Sequence, residues 1–195
     1  MRLTELIQAH LTESPGIEVD DPDAIQCGVL VPVLPVDGGY GLVYTLRSEH
    51  LPSHKGQVSF PGGKRSDDDD DVLATALRET KEEVGIEPGD VEVLGRLDAV
   101  HTMATEFIIT PFVGLLPRES RFMLDPGEVS ELFTVTFDDL MDPAHHGTDT
   151  KSWRGSEFEV AAITAGPHNI WGATHQITTN FLAVLEQLIG ERPAR

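Results

Sequence analysis

Hydrophobic residues recur at helical spacing in three stretches of the chain. Leu3, Leu6 and Ile7 begin the first stretch, and Gly85, a residue type common at helix ends, directly follows the second. Apolar positions three and four residues apart form one face of an amphipathic helix. The pattern therefore predicts helices over residues 3–11, 71–84 and 174–189.

Between these helices, runs rich in β-branched residues predict strands. The first two runs are separated by Asp37, Gly38 and Gly39, which is a hairpin signal. Strands interleaved with helices indicate an α/β or α+β fold, in which helices cover the faces of a mixed sheet. The predicted strands cover residues 27–36, 40–48, 57–60, 91–94, 107–116, 132–137 and 157–163.

The composition is that of a folded protein. Leu, Ile, Val and Phe supply about 28% of the 195 residues, which is enough for a hydrophobic core. The length suits one compact unit. We expect a single domain over residues 1–195, with an N-terminal helix and an acidic linker in residues 1–25 and the core in residues 26–190.

The formal net charge of −19 excludes several classes of partner. Repulsion between polyanions argues against nucleic acids and anionic membrane surfaces. No run approaches the ~20 apolar residues that span a membrane, so we expect a soluble, cytoplasmic protein. Cys27 is the only cysteine, which excludes an intrachain disulfide and a thiolate metal site. A chain rich in Asp and Glu with few lysines suits concentrated salt, and we expect a halophilic source.

The predicted helix over residues 71–84 carries a group of carboxylates. Glu79 and Glu83 are four residues apart and Glu82 lies beside them, so the three side chains crowd one edge of the helix. A hard divalent cation, Mg²⁺ or Mn²⁺, would offset their repulsion. Gly62 and Gly63 let the backbone turn sharply and approach a cation or a phosphate. Taken alone, the helix segment fits an ordinary solvated face equally well.

The combination of these residues resembles the Nudix box, in which a glycine and a distant acidic residue precede Arg-Glu-x-x-Glu-Glu-x-Gly. Here the acidic residue is identified as Asp70, and Thr80 stands at a position that is usually aliphatic. The interval between the glycine and the arginine is one residue longer than in the commonest box. The matching residues are Gly63, Arg78, Glu79, Glu82, Glu83 and Gly85.

The longer interval is similar to that of the coenzyme A pyrophosphatase branch of the family. Residues 126–129 and 170–174 also resemble segments of this branch, but Pro52 stands where the branch has a second arginine. Three nearby basic residues could replace the contact of that arginine with phosphate: His50, His54 and Lys55. The upstream residues that match the branch are Val43-Tyr44-Thr45, Arg47-Ser48, Gly56 and Phe60-Pro61-Gly62-Gly63.

The resemblance implies a set of metal ligands and a proton acceptor. Divalent ions would bind Glu79 and Glu83, with Glu82 and the carbonyl of Gly62 as further ligands. The carboxylate that takes a proton from water stays open among Glu79, Glu82 and Glu128, the last on a later loop.

The resemblance also implies which residues position the helix and contact the substrate. Arg78 is counted with the catalytic residues, and we expect it to pair with Asp70 or Glu82 and so orient the ligands. The residues expected to contact the substrate are Arg47, His54, Lys55, Gly63 and Lys64.

By this resemblance the expected fold is a Nudix-type α/β/α sandwich with a mixed β-sheet between helices. The expected reaction is hydrolysis of the pyrophosphate in coenzyme A or acyl-coenzyme A, giving 3′,5′-ADP and (acyl-)4′-phosphopantetheine. One alternative is a Nudix hydrolase that acts on ADP-ribose, another dinucleotide or a nucleoside triphosphate. A second is a nucleotide-binding module without activity. A homodimer is one expectation for the assembly.

Overall fold

A computed structural model describes residues 2–19, 21, 23–102, 106–153 and 156–190. Asp20 and Pro22 of the predicted acidic linker lie outside the described residues, as do Met1 and residues 191–195 of the predicted domain. Of the helices that the structure describes, none has the length and apolar character needed to cross a bilayer.

The described helices are α1 (Leu3–Glu13), α2 (Val72–Val84), α3 (Phe137–Met141) and α4 (Gly172–Gly190). The three predicted helices are thus confirmed, and α3 is an addition. Before α2, the carboxylate of Asp71 accepts a hydrogen bond from the Ala74 N–H at 2.7 Å. After it, Gly85 adopts the left-handed conformation. Local sequence therefore sets both ends of the helix that carries the glutamates.

The strands form two sheets. They are β1 (Ile25–Val36), β2 (Gly39–Arg47), β3 (Val58–Ser59), β4 (Gly62–Lys64), β5 (Glu92–Arg96), β6 (Val100–Thr102), β7 (Phe107–Leu115), β8 (Val129–Thr136), β9 (His146–Trp153), β10 (Ser156–Ala165) and β11 (His168–Trp171). The first eight belong to one sheet with the neighbour order β3-β2-β1-β7-β5, in which β4 pairs with β1, β6 with β7 and β8 with β2. The last three form a separate antiparallel sheet.

Strand β1 organises the large sheet. It pairs antiparallel with β2 across a tight turn at Asp37 and Gly38, and parallel with β7 over the register from Ile25 to Val33. The predicted hairpin and the mixed character of the sheet are therefore confirmed.

Alternate residues of β1 face different helices. A Cβ atom at Gly28 would lie 2.2 Å from the Val72 carbonyl oxygen, so α2 packs directly against that face of the strand. Val31 and Val33 instead belong to the same buried cluster as Phe181 of α4. Because successive strand residues point to opposite faces, helices cover both faces of the sheet. The α/β/α sandwich is confirmed.

Several short or polar strands escape the hydrophobic pattern. Strand β9 has the sequence HGTDTKSW, which lacks apolar alternation, and it pairs only with β10 among the described strands. His145 ends a 3₁₀ turn, and His146 is the first residue of β9. Strands β4, β6 and β11 have three or four residues and give too little pattern to predict.

One predicted strand also has different ends. The run expected over residues 132–137 begins earlier, at Val129, because it pairs with β2 back to Arg47. It stops before Phe137, where Thr136 caps α3 by accepting a hydrogen bond from the Asp139 N–H at 3.1 Å. This capping threonine ends the strand one residue earlier than the apolar run does.

Candidate active site

Three carboxylates converge beside the C-terminal half of α2. Glu79 and Glu83 project from neighbouring turns of the helix, and Glu128 reaches them from the loop before β8. One side-chain oxygen of each lies within 4.8 Å of the others. Glu83 is 3% exposed and Glu79 is 17% exposed. The group therefore concentrates negative charge around a buried glutamate, with Glu79 partly buried and Glu128 exposed.

Backbone hydrogen bonds hold the loop of Glu128 against the helix. The Asp125 N–H donates to the carbonyl of Glu83 at 3.0 Å, and the Ser48 N–H donates to the carbonyl of Glu128 at 2.8 Å. Within the loop, the Gly127 N–H donates to the Asp125 carboxylate at 2.8 Å. These contacts bring a glutamate 45 residues further along the chain to the helix glutamates.

The two glycines form strand β4 rather than the expected turn. The Gly62 N–H donates to Glu83 Oε2 at 3.3 Å. At Gly62 φ is +152° and a Cβ atom would lie 2.4 Å from the Gly28 carbonyl oxygen, so β4 leaves no room for a side chain there. A Cβ at Gly63 would lie 2.5 Å from Cδ of Glu79. The Glu79 carboxylate therefore rests directly on the glycine backbone.

Arg78 is held by a buried aspartate. Its Nε and Nη2 donate to the two carboxylate oxygens of Asp69 at 2.8 and 2.9 Å, and Asp69 also accepts from the Thr75 hydroxyl at 2.9 Å. The sequence-based assignment to Asp70 is wrong, because Asp70 is exposed and the structure buries its neighbour. Hydrogen bonds from Arg78 hold the pKa of Asp69 well below its ordinary value.

The same arginine also reaches two glutamates of α2. Its Nη1 donates to Glu79 Oε1 at 2.8 Å and to Glu82 Oε2 at 3.0 Å. The predicted pairing of Arg78 with Glu82 is therefore present. Glu82 lies outside the group of three carboxylates, since its side chain turns to Arg78 and is 55% exposed. Arg78 thus fixes one oxygen of Glu79.

Burial and mutual repulsion disfavour the charged forms of the helix glutamates. Burial raises the pKa of Glu83 to about 8, with further upward contributions from Glu128 and Glu79 and an opposing one from Arg47. Burial also raises the pKa of Glu79, although Arg78 opposes the shift. A bound cation would reverse this effect because it stabilises the carboxylates.

The donor set fits a hard divalent cation. All three side chains offer carboxylate oxygens, which Mg²⁺ and Mn²⁺ prefer over the imidazole and thiolate ligands of softer metals. The group supplies up to three negative charges that the two nearby arginines neutralise only in part. Arg78 pairs with Glu79 at 2.8 Å but is shared with Asp69 and Glu82, and Arg47 Nη1 stays 4.0 Å from Glu83. Hence the residues present suit one or more divalent ions.

The predicted substrate contacts are only partly brought together. Arg47 lies beside Glu83, and its Nε is buried without a hydrogen-bond partner among the described residues. The Lys64 ammonium lies over the Phe107 ring, 5.0 Å from its centroid. His54 and Lys55 are exposed in the segment between β2 and β3, and within the described part of the chain neither forms a hydrogen bond or an ion pair with the carboxylates.

A small cavity adjoins the carboxylates and was not predicted from the sequence. It has a volume of about 150 Å³ and includes Arg47, Gly62 and Gly63, the residues that contact Glu83 and Glu79. Its remaining wall comes from β1, β3, β7 and the start of α4. These strands and this helix are far apart in the chain, so no local motif indicates the cavity.

The chain matches the family model of the NUDIX domain over residues 26–153. It belongs to the Nudix family. The match covers most of the elements around the carboxylate group, including the whole of β4 and α2. The predicted resemblance is thereby confirmed, and the chain is a Nudix pyrophosphohydrolase.

Two relatives share both substantial identity and most of their length with this chain. The mitochondrial coenzyme A diphosphatase NUDT8 of Mus musculus is 40% identical over 80% of this chain and 76% of its own length. NUDT8 of Homo sapiens, of the same description, is 38% identical over 80% of this chain and 68% of its own length. A MutT/nudix family protein from Enterococcus faecalis has the same fold, with a TM-score of 0.54 and 14% identity over 95% of this chain and 70% of that one.

Proposed function

We propose that this Nudix hydrolase cleaves the pyrophosphate bond of coenzyme A or acyl-coenzyme A in a reaction that depends on Mg²⁺ or Mn²⁺. The products are 3′,5′-ADP and (acyl-)4′-phosphopantetheine. The observation that carries the proposal is the group of Glu79, Glu83 and Glu128, combined with the identity to two coenzyme A diphosphatases. The fold alone supports no particular substrate, because neighbours with distant sequences share it.

We assign the metal to the three converging carboxylates. Hydrolases of this family use divalent metal ions. When bound, such ions neutralise negative charge on the pyrophosphate and acidify water. Glu79, Glu83 and Glu128 are the assigned ligands. Glu82 was predicted as a further ligand, but its hydrogen bond to Arg78 gives it a positioning role instead. The Gly62 N–H supports Glu83, and its carbonyl stays a predicted ligand.

Proton acceptance from the attacking water is assigned to Glu79 or Glu128. Both lie in the carboxylate group, within reach of a water beside the bound pyrophosphate. Arg78 and Asp69 act through Glu79. Their paired hydrogen bonds hold α2 and the Glu79 oxygen in one orientation, which preorganises the site.

Arg47 is the assigned phosphate contact. Its guanidinium lines the cavity beside Glu83, and the side chain is 26% exposed, so its N–H groups can donate to a phosphate oxygen. Gly63 gives the substrate close access to the backbone, and Lys64 and Lys55 supply positive charge, while His54 stays a predicted contact. Loss of the second arginine of the branch, at Pro52, leaves Arg47 with a larger share of phosphate binding.

Pro52 also supports a second candidate, hydrolysis of ADP-ribose, another dinucleotide or a nucleoside triphosphate. A single arginine can bind the phosphates of any pyrophosphate substrate. Proline in place of the second arginine therefore removes one contact that could distinguish coenzyme A from other pyrophosphates. A binding module without activity is disfavoured, because every box glutamate is present and two of them, Glu79 and Glu83, converge with Glu128. Cytoplasmic location and a homodimer stay predictions.

A substrate panel tests the proposal. Purified protein is incubated in buffered salt and Mg²⁺ with coenzyme A, ADP-ribose, diadenosine polyphosphates and nucleoside triphosphates, and kcat/KM is measured for each. The proposal expects coenzyme A to be preferred at least tenfold. Preference for another compound would select the second candidate, and no cleavage in either metal would revive the binding module.

A further inference from the structure

We propose that the cavity of about 150 Å³ beside the carboxylates binds the branched, uncharged carbon segment of the pantetheine arm, directly next to the phosphate that is cleaved. This inference rests on the proposed function. It assigns the apolar side of the substrate to a particular set of side chains, and it makes Ala173 of α4 a residue that determines specificity.

The position of the cavity links it to the reacting bond. Three residues of its wall also contact the glutamates. Arg47 Nη1 lies 4.0 Å from Glu83, and the Gly62 N–H donates to Glu83 at 3.3 Å. Gly63 packs against the Glu79 carboxylate. A group attached directly to the pyrophosphate therefore enters the cavity when the phosphates lie at the carboxylates.

The wall of the cavity is apolar and uncharged apart from Arg47. Burial raises the pKa of the Cys27 thiol to about 11, so that side chain is neutral. The apolar lining residues are Cys27, Val29, Phe60, Ile109, Ala173 and Ile177.

The two hydroxyls in the wall are already engaged. Thr174 Oγ1 donates to the Val58 carbonyl at 2.9 Å, and Ser59 Oγ shares a hydrogen bond of 2.9 Å with the Thr45 hydroxyl. A group that enters the cavity finds few side-chain partners for hydrogen bonds of its own. The wall therefore favours hydrocarbon over hydroxyls, ring nitrogens or a further phosphate.

Chemistry distinguishes the two ends of coenzyme A at this cavity. On one side of the pyrophosphate is a ribose that carries a hydroxyl and a 3′-phosphate, both of which lose hydration if buried in an apolar wall. On the other side is a carbon with two methyl groups, which gains free energy from the same burial. The space of about 150 Å³ holds this branched segment but not the whole arm, so the thiol end extends beyond it.

Filling the cavity from Ala173 tests the inference. Ala173→Leu adds three carbons to a wall residue on the first turn of α4, and leucine is a good helix former. The matched control is Ala183→Leu, the same change at an exposed position of the same helix. Inhibition constants are measured for 4′-phosphopantetheine and for 3′,5′-ADP against coenzyme A cleavage. Thermal unfolding reports whether each variant folds, and Ala173→Val replaces the leucine variant if it does not.

The expected result is that 4′-phosphopantetheine inhibits the A173L variant at least tenfold more weakly, while the inhibition constant of 3′,5′-ADP changes less than twofold. The A183L control should match the wild type for both compounds. Weakening of 3′,5′-ADP alone, equal weakening of both, or no change in either refutes the assignment. If the wild type cleaves other pyrophosphates and leaves coenzyme A intact, the proposed function fails first, and this inference fails with it.

Discussion

Replacing Glu83 with glutamine distinguishes two effects of its buried charge, which lowers the stability of the metal-free protein and binds the metal needed for turnover. Glu83 is 3% exposed, accepts a hydrogen bond from the Gly62 N–H and lies within 4.8 Å of two other carboxylates. Glutamine keeps the volume and an acceptor for the Gly62 N–H, but it removes the charge. We expect Glu83→Gln to stabilise the protein without metal and to abolish most of its turnover with metal.

The magnitude follows from the pKa of about 8 for Glu83 against an ordinary value of 4.5. Below pH 4.5 the group is protonated in both states, and between pH 4.5 and 8 only the unfolded chain releases the proton. The free energy of unfolding of the wild type therefore falls over this range as pH rises. At ~1.4 kcal/mol per pKa unit, the penalty reaches about 3 to 5 kcal/mol between pH 7 and pH 9. This pKa already includes the attraction of Arg47, so we expect Glu83→Gln to gain about 5 kcal/mol at pH 9.

Thermal unfolding in a chelator at pH 5 and pH 9 measures this gain. For a chain of this size, about 5 kcal/mol corresponds to roughly 10 to 20 °C in Tm at pH 9, and the difference should shrink to about 1 kcal/mol at pH 5. Mg²⁺ should raise the Tm of the wild type far more than that of the variant. In Mg²⁺ the variant should lose at least ~100-fold in kcat/KM, equivalent to about 3 kcal/mol of transition-state stabilisation.

Glu92→Gln is the matched control, because Glu92 is an exposed glutamate on β5. It should change neither Tm nor kcat/KM by a measurable amount. A lower Tm of the Glu83→Gln variant than of the wild type in chelator at pH 9 would refute the argument from burial. Turnover near that of the wild type would refute the assignment of Glu83 as a metal ligand.

Three further predictions follow from the contacts around the site and from the charge. Asp69→Asn should lower kcat at least tenfold by weakening the bidentate hold on the box arginine, whereas Asp70→Asn should have little effect; equal losses in kinetic assays would contradict the assignment of the buried aspartate. Gly63→Ala should lower kcat by forcing the neighbouring glutamate from its place, and Gly89→Ala, where a Cβ meets nothing within 4 Å, should be neutral in activity and in circular dichroism. With a net charge of −19, the folded fraction followed by fluorescence should rise with KCl up to molar concentrations, and full stability in dilute buffer would refute the halophilic interpretation.

The long elements were predictable because their signals are local. Helix α2 carries its own cap at Asp71 and its own terminator at Gly85, so its bounds agree with the sequence to within one residue. The spacing of Glu79 and Glu83 places them on adjacent helical turns in any fold. Their convergence follows from helix geometry alone.

Residues whose role depends on tertiary contacts could not be predicted from local patterns. Asp69 and Asp70 are identical neighbours in a run of aspartates, and only burial beneath Arg78 and Thr75 distinguishes them. Glu128 was a candidate by resemblance, but its distance from the helix depends on the loop hydrogen bonds to α2 and Ser48.

The apolar cavity was the feature of the site that the sequence predicted least. Its wall combines one to three residues from each of several strands and a helix, which are separated by up to 150 residues in the chain. The apolar ones each fit an ordinary core position. Periodicity identifies such residues as buried, and it does not distinguish core packing from the wall of a binding site.

The most direct test of the account is the mass of the products formed from coenzyme A with Mg²⁺ and, in parallel, with a chelator. We expect equal amounts of 3′,5′-ADP and 4′-phosphopantetheine with Mg²⁺, none with the chelator, and restoration when Mn²⁺ is added. Intact coenzyme A in both metals, or products that form equally well in the chelator, would contradict the assignment of a metal-dependent coenzyme A pyrophosphatase.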